Sequence, residues 1–370
     1  MIRKIIIQNF KSLKNIKLKV SDLNILTGLN GMGKSSLIQT LLLLRQSYMQ
    51  GLLSEGLSLN GSLVEIGTAQ DAFCESGKRN DIWFAIDFDH NVIAHWRFDY
   101  NPNPPRGMHN NFLPVIQQDR GISKNLFEQA LFTSEFNYLS ASRITPSPYF
   151  KLSDYAAIRA NFIGNDGRNS IAYLYMDKLA YEDAFPDERE DLPLTDRIEY
   201  WLNEISPGTK LKPGINPEMR LANIMYSFSQ GSGETRPFCS TNVGFGITHI
   251  LPVIVALISA EPGELIIIEN PETNLHPRGQ SKLAELMALT ALKGVQLFVE
   301  THSDHVINGI RIAIKETDLS PDNVAISYFQ RSRDEHTTEI QNIRIDKKGK
   351  ILDWPDGFLD EWNNSLFKLI

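Results

Sequence analysis

Gly28, Gly33, Lys34 and Ser35 stand in the spacing G-x-x-x-x-G-K-[ST] inside the run Asn24 to Ile38. Glycines at such positions let the backbone turn tightly enough to aim successive N–H groups at phosphate oxygens. The lysine can reach the β and γ phosphates, and the serine hydroxyl can hold Mg²⁺. Asn30, Gly31, Gly33, Lys34, Ser35 and Ser36 are therefore the expected phosphate- and nucleotide-binding residues of this loop. A second constellation is Leu265-Ile266-Ile267-Ile268-Glu269-Asn270-Pro271-Glu272. Four apolar residues ending in a carboxylate place that acid at the C-terminal edge of a sheet, where ligands bind. Glu269 can hold Mg²⁺, directly or through water, and Glu272 could polarise an attacking water. A third, Glu300-Thr301-His302-Ser303, follows the apolar run Val295 to Val299, so His302 could sense a γ-phosphate. A fourth, Asn242-Val243-Gly244-Phe245-Gly246-Ile247-Thr248, is a glycine-bearing turn opening a helix, and its free N–H groups make another anion site.

These residues need elements to hold them. Leu23 to Leu26 reads as an apolar strand running into the loop, and Ser36 to Leu44 as a helix with most of its surface buried. Before them, Lys4 to Ile7 and the alternating Ile16, Leu18 and Val20 predict a hairpin. Trp83 to Asp89 and Val92 to Tyr100 predict a second one. Residues 101–125, rich in proline, read as a loop, and 126–225 as mostly helical with a short strand at Phe136 to Leu139. Residues 228–240 read as another loop. From Ile247 onward strand and helix alternate: helix to Ser259, strand Leu265 to Ile268, helix Pro277 to Leu292, strand Val295 to Val299, and a helix from near His305. All-apolar strands alternating with helices mean a largely parallel sheet covered on both faces. Ser327 to Ile345 reads as two strands around a charged turn.

Composition narrows the setting. The chain has 370 residues, 42% of them hydrophobic and 22% charged, as in an ordinary soluble globular protein. A net charge of −7 argues against coating nucleic acid through bulk charge. Arg3, Lys4, Lys11, Lys14, Lys17 and Lys19 form a local basic stretch, best read as solvated strand faces. Only Cys74 and Cys239 are present, far apart, which suits a reducing cytoplasm. Met1-Ile2-Arg3-Lys4 does not open a signal peptide, and the most apolar run, Ile250 to Ile258, is too short to span a bilayer. The expected location is cytoplasmic, with no membrane partner.

The order of these motifs resembles the ABC-type ATPase superfamily, in the branch containing SMC, RecF and the OLD-like ATPases. Ile5-Ile6-Ile7-Gln8-Asn9-Phe10-Lys11-Ser12-Leu13 and Gly28-Leu29-Asn30-Gly31 resemble that branch. Glu269 through Asn274-Leu275-His276-Pro277 is similar to a sub-group of AAA-family ATPases found in bacterial defence loci. Tyr138-Leu139-Ser140-Ala141-Ser142-Arg143 resembles an interior family motif. The resemblance implies an α/β P-loop ABC-type head with a mostly parallel sheet flanked by helices, an N-terminal antiparallel β part and an inserted, mostly helical subdomain. The expected boundaries are 1–74 and 241–345 for the two halves of the head, 75–240 for the insertion and 346–370 for an acidic and aromatic tail.

It also implies ATP and Mg²⁺ as cofactors and a homodimer that sandwiches two ATP molecules. Asn242, Gly244 and Gly246 of one head would complete the phosphate site of the other. His276 would stand at the dimer seam, His302 would be the switch histidine, and Gln70 would join the sheet to the insertion near Mg²⁺. Two departures stand out. Asn270 occupies the place of the usual catalytic glutamate, which argues for slow turnover and leaves Glu272 as the candidate catalytic acid. About 68 residues follow His302, and their acids Asp334, Glu335, Asp353 and Asp356 show no metal-site spacing, so a fused nuclease domain is not expected.

The reading is a slow switch ATPase that controls a separately encoded effector, expected to be a nuclease, in antiphage defence. Its rivals are a RecF-like DNA-binding repair ATPase and an ATP-sensing structural module with little turnover.

Overall fold

Buried apolar side chains decide the first element. In the strand Ile2–Phe10, Ile5, Ile7 and Phe10 are buried, and in Leu13–Lys19 so are Leu13, Ile16 and Leu18. The two pair antiparallel, Ile7 opposite Ile16, and the intervening lysines face outward. The computed structural model describes residues 1–103, 110–118, 122–152, 163–183, 192–231, 233–332, 337–355 and 357–369. The chain divides into two compact units, Met1–Phe136 with Ser320–Ile370, and Asn137–Leu319.

In the first unit the hairpin begins a six-stranded antiparallel sheet. Its order is Leu13–Lys19, Ile2–Phe10, Asp81–Phe88, Ile93–Asp99, Phe112–Gln118 and Gly56–Ser58. The strand Phe112–Gln118 falls within the stretch read from sequence as a loop; its edge pairing with Gly56–Ser58 is a long-range contact that no local pattern announces. The unit also holds the strand Leu23–Gly28, parallel to Val324–Arg331, which in turn pairs antiparallel with Thr338–Ile343. Leu23, Ile25 and Leu26 are fully buried, as a continuous apolar run in an interior strand must be. The helix that follows, Lys34–Met49, buries Leu37, Ile38 and all of Leu41 to Leu44. The basic stretch is largely paired where it meets acids: Arg3 bonds Asp22 and Asp89, and Lys4 bonds Asp87.

In the second unit Leu265–Glu269 and Gln296–Glu300 run parallel, with Glu269 opposite Glu300. The short strand ending at Leu139 lies beside Leu265–Glu269. Helices Phe245–Ser259, Pro277–Leu292 and Asp304–Glu316 complete the alternation expected from sequence. Residues 126–225 are less helical than expected. Beside the helices Ser170–Asp183 and Leu194–Ile205 stands a long hairpin, Thr209–Asn216 with Leu221–Gln230. Its buried Leu211, Ala222, Ile224 and Tyr226 fall at a period of two along their strands, which turns them to one face. Gly233–Glu234 and Phe238–Cys239, within the stretch expected to be a loop, add to this hairpin's sheet. Within the acidic and aromatic stretch 346–370, Glu361–Leu369 forms a helix. Asp334, Glu335 and Asp356 lie outside the described residues. No helix among the described residues is long and apolar enough to cross a membrane.

Candidate functional site

The phosphate loop is fixed by positions that only glycine fills. Gly28 has φ 131°, and a Cβ there would lie 2.2 Å from the carbonyl oxygen of Phe329. Gly33 caps the helix at φ 97°, where a Cβ would meet Thr338 Oγ1 at 2.4 Å. Thr338 braces the loop from outside: its hydroxyl donates to the Met32 carbonyl (2.9 Å) and lies 2.8 Å from Ser12 Oγ. Lys34 is buried, its ammonium donating to the carbonyls of Gly28 (2.9 Å) and Leu29 (2.8 Å). Asn30, Gly31 and Ser35 are exposed, and Ser36 is half-buried. The loop therefore presents backbone N–H groups and a helix N-terminus with no acid in its first turn.

Gln70 is exposed on the short helix Ala69–Ala72, whose start Thr68 and Asp71 cap reciprocally. It lines a polar groove with Lys11, Ser12 and Asp71, so the groove shares Ser12 with the brace on the loop. Burial pulls the Lys11 ammonium below its usual range, opposed by Asp71, and Lys11 Nζ donates to Gln39 Oε1 (2.9 Å).

The second unit gathers the carboxylates. Glu269 ends its strand with both oxygens engaged: Oε1 accepts from the Tyr138 hydroxyl (3.2 Å) and Oε2 from the Ala141 N–H (3.2 Å). Burial, and then the charge of Glu269, push the Tyr138 hydroxyl well above its usual range, so it stays a donor. The chain next turns through Asn270 at φ 44°, a left-handed conformation that asparagine tolerates better than most residues. Glu272 is buried beyond that turn; its Oε1 accepts the His302 N–H (2.8 Å) and its Oε2 has no hydrogen-bond partner. Asn270 Oδ1 is likewise buried and unpartnered. The His302 side chain is exposed. Glu269, Glu272 and His302 all lie in the second unit, and Glu272 meets the main-chain N–H of His302 rather than its ring.

The glycine-bearing turn belongs to the same unit. Asn242 ends a short 3₁₀ turn, Gly244 caps the helix Phe245–Ser259, and both are exposed. Gly246 packs so tightly on Asn274 that a Cβ would lie 2.3 Å from its carbonyl oxygen. His276 caps the helix Pro277–Leu292, its Nδ1 accepting from the Arg278 N–H (3.3 Å).

Two residues without an assigned role in the sequence prove central. Arg143 is buried and donates to the carbonyls of Ser140, Glu269, Asn270 and His249. Burial pulls its guanidinium down to about 10, while Glu272 and Glu269 hold it charged. His249 is pulled down to about 4, first by burial and then by Arg143. In the sequence, Tyr138 and Arg143 were marked by the resemblance of Tyr138 to Arg143 to an interior family motif, which assigned neither residue a role.

Among the described residues no group of three or more His, Cys, Asp or Glu is arranged to hold a metal ion. A magnesium ion binds instead through one or two carboxylates or hydroxyls together with phosphate oxygens and water. Each unit by itself offers an oxygen of that kind, Ser35 in the first and Glu269 in the second, and in the second the orphaned acceptors Glu272 Oε2 and Asn270 Oδ1 call for a donor such as water. The donors of each unit, taken by itself, suit the chemistry of a nucleotide phosphate and Mg²⁺.

The family described as "AAA domain, putative AbiEii toxin, Type IV TA system" matches residues 114–308. A family described as an AAA ATPase domain matches residues 1–183, and one described as a protein of unknown function (DUF3696) matches residues 319–369. No curated protein matches the chain. Among solved structures, the Smc head bound to the C-winged helix domain of ScpA is similar at 14% identity and TM-score 0.54, over 94% of this chain and 98% of that one. A Smc head with an extended coiled coil, bound to the C-terminal domain of ScpA derived from Pyrococcus furiosus, is similar at 13% identity and TM-score 0.50, over 100% and 99%. At these identities the likeness is one of fold: an SMC-head-like α/β P-loop ATPase fold.

Proposed function

The chain belongs to this AAA-domain family, and from that premise we propose that it binds and slowly hydrolyses ATP with Mg²⁺, dimerising around the nucleotide to control a separate effector protein. The observation that carries the reading is the phosphate loop, with glycines forced at Gly28 and Gly33 and the buried Lys34 leading its helix. In this reading Asn30, Gly31, Gly33, Lys34, Ser35 and Ser36 cradle the phosphates by N–H groups and one cation. As the motif resemblance implies, Ser35, Glu269 and Gln70 would be the Mg²⁺ ligands. The ion supplies charge neutralisation on the β and γ phosphates. Glu269, held by Tyr138 and Ala141, is the anchor. Glu272 orients and deprotonates the attacking water through Oε2, the oxygen left free while Oε1 holds the His302 N–H. His302 senses the γ-phosphate, and Asn242, Gly244 and Gly246 offer their N–H groups to the partner's nucleotide.

The separately encoded effector, a nuclease, and the setting in bacterial antiphage defence are carried over from the motif resemblance, and the family's description as a putative AbiEii toxin of a type IV toxin–antitoxin system supports a toxin–antitoxin setting. The Smc heads of like fold were solved with a domain of ScpA bound, which supports a protein partner. A second reading, an ATP sensor with little turnover, is favoured by Asn270. The test is ATP turnover and oligomeric state of the purified protein with and without Mg²⁺. Dimerisation on ATP with measurable phosphate release supports the switch; dimerisation without release supports the sensor; neither response sinks both.

A further inference from the structure

We propose that Arg143 is a positioning residue that couples the glycine-bearing turn Asn242–Gly246 to the hydrolytic carboxylate Glu272; this rests on the ATPase reading above. Nη1 of Arg143 donates to the carbonyls of Ser140 (3.0 Å) and Glu269 (2.7 Å), Nη2 to that of Asn270 (2.8 Å), and Nε to that of His249 (3.3 Å). One buried, planar group thus joins three segments of one unit. A guanidinium is a rigid fork, so its donors cannot be moved independently. His249 lies in the first turns of the helix that Gly244 opens, and Asn270 lies two residues before Glu272.

A second bridge joins the same two segments. Gly246 rests on Asn274, leaving no space for a Cβ against its carbonyl oxygen, and Asn274 holds φ 65°. The turn that would meet a partner's phosphate and the turn that carries Glu272 are therefore tied twice, once by a charged fork and once by backbone contact. All the Arg143 donors named go to main-chain oxygens, which is what a group that sets backbone position does. A shift of the helix start on nucleotide engagement is carried to the Asn270 carbonyl and so to Glu272. Couplings of this kind change the linked step by roughly 5–150-fold.

The test is hydrogen–deuterium exchange on the full chain, with and without ATP and Mg²⁺, alongside steady-state turnover. In the parent, ATP slows exchange over both 242–249 and 269–275. Arg143→Lys keeps the charge but cannot reach the same carbonyls. In it, ATP still slows exchange at 242–249 but no longer at 269–275, and kcat falls about tenfold to a hundredfold while KM for ATP stays within about threefold. Arg143→Gln, which removes the fork without leaving a buried charge, is the second variant and gives the same split should Arg143→Lys not fold. If the variants protect both segments together and turn over at the parental rate, the coupling is wrong and the ATPase reading stands. If the parent itself shows no response to ATP, the ATPase reading falls and the coupling falls with it.

Discussion

Glu272 accepts the main-chain N–H of His302 through Oε1 at 2.8 Å, and its second oxygen is buried with no partner. One oxygen is thus used to hold the carboxylate in place and the other is left for chemistry. Glu272→Gln keeps the acceptor for His302 and removes the base. The expected result is ATP binding within a few-fold of the parent, a dimer that accumulates on size exclusion, and turnover lower by about 10²–10⁴-fold. Hydrolysis at the parental rate would show that the base is another group or comes from the partner subunit.

Lys34 is buried at the start of its helix with its ammonium on two loop carbonyls. A charged hydrogen bond to phosphate in such a site contributes about 1.5–3 kcal/mol. Lys34→Ala should therefore weaken ATP binding by roughly one to two decades, measured by calorimetry or a fluorescent nucleotide. Unchanged affinity in a folded variant sinks the assignment of the loop.

What the sequence disclosed and what it hid follow one physical rule. Motifs built from local backbone needs were legible: the glycines at 28 and 33, the apolar strand before Glu269, the helix opened at Gly244. The strand Leu265–Glu269 and the helix Pro277–Leu292 fall within one residue of their expected bounds. Residues defined by partners far along the chain were not legible. Arg143 reaches Glu269 and Asn270 across more than a hundred residues, and nothing near it in sequence names those carbonyls. The hairpin around Leu211 and Tyr226 was hidden because it is held by pairing between strands, Leu211 opposite Tyr226, which no local run of residues announces.

Acid should weaken the fold through His249. Unfolded, its ring titrates near 6.5; folded, burial and Arg143 hold it down to about 4. Between those values the unfolded chain takes up a proton that the folded chain does not, so stability present above pH 6.5 is lost as pH falls toward 4. His249→Phe keeps a ring against Phe245, whose centroid is 5.3 Å away, and removes the titration. The parent should lose more Tm between pH 7 and pH 5 than the variant. An equal loss in both would remove His249 from the acid sensitivity.

Asn270 decides between switch and sensor. Its backbone is fixed in the left-handed region, since its N–H donates to the Glu300 carbonyl (2.8 Å) and its own carbonyl accepts from Arg143. Asn270→Glu places the usual superfamily acid there, in a conformation that costs an ordinary residue about 1–2 kcal/mol. Tm should fall by a few degrees while turnover rises above the parent. A rise means that the missing acid limits hydrolysis, and the parent chain is built to hold ATP longer than it consumes it. Turnover unchanged at a lowered Tm means that Glu272 already supplies the base, and the slow-sensor reading loses the observation that favours it.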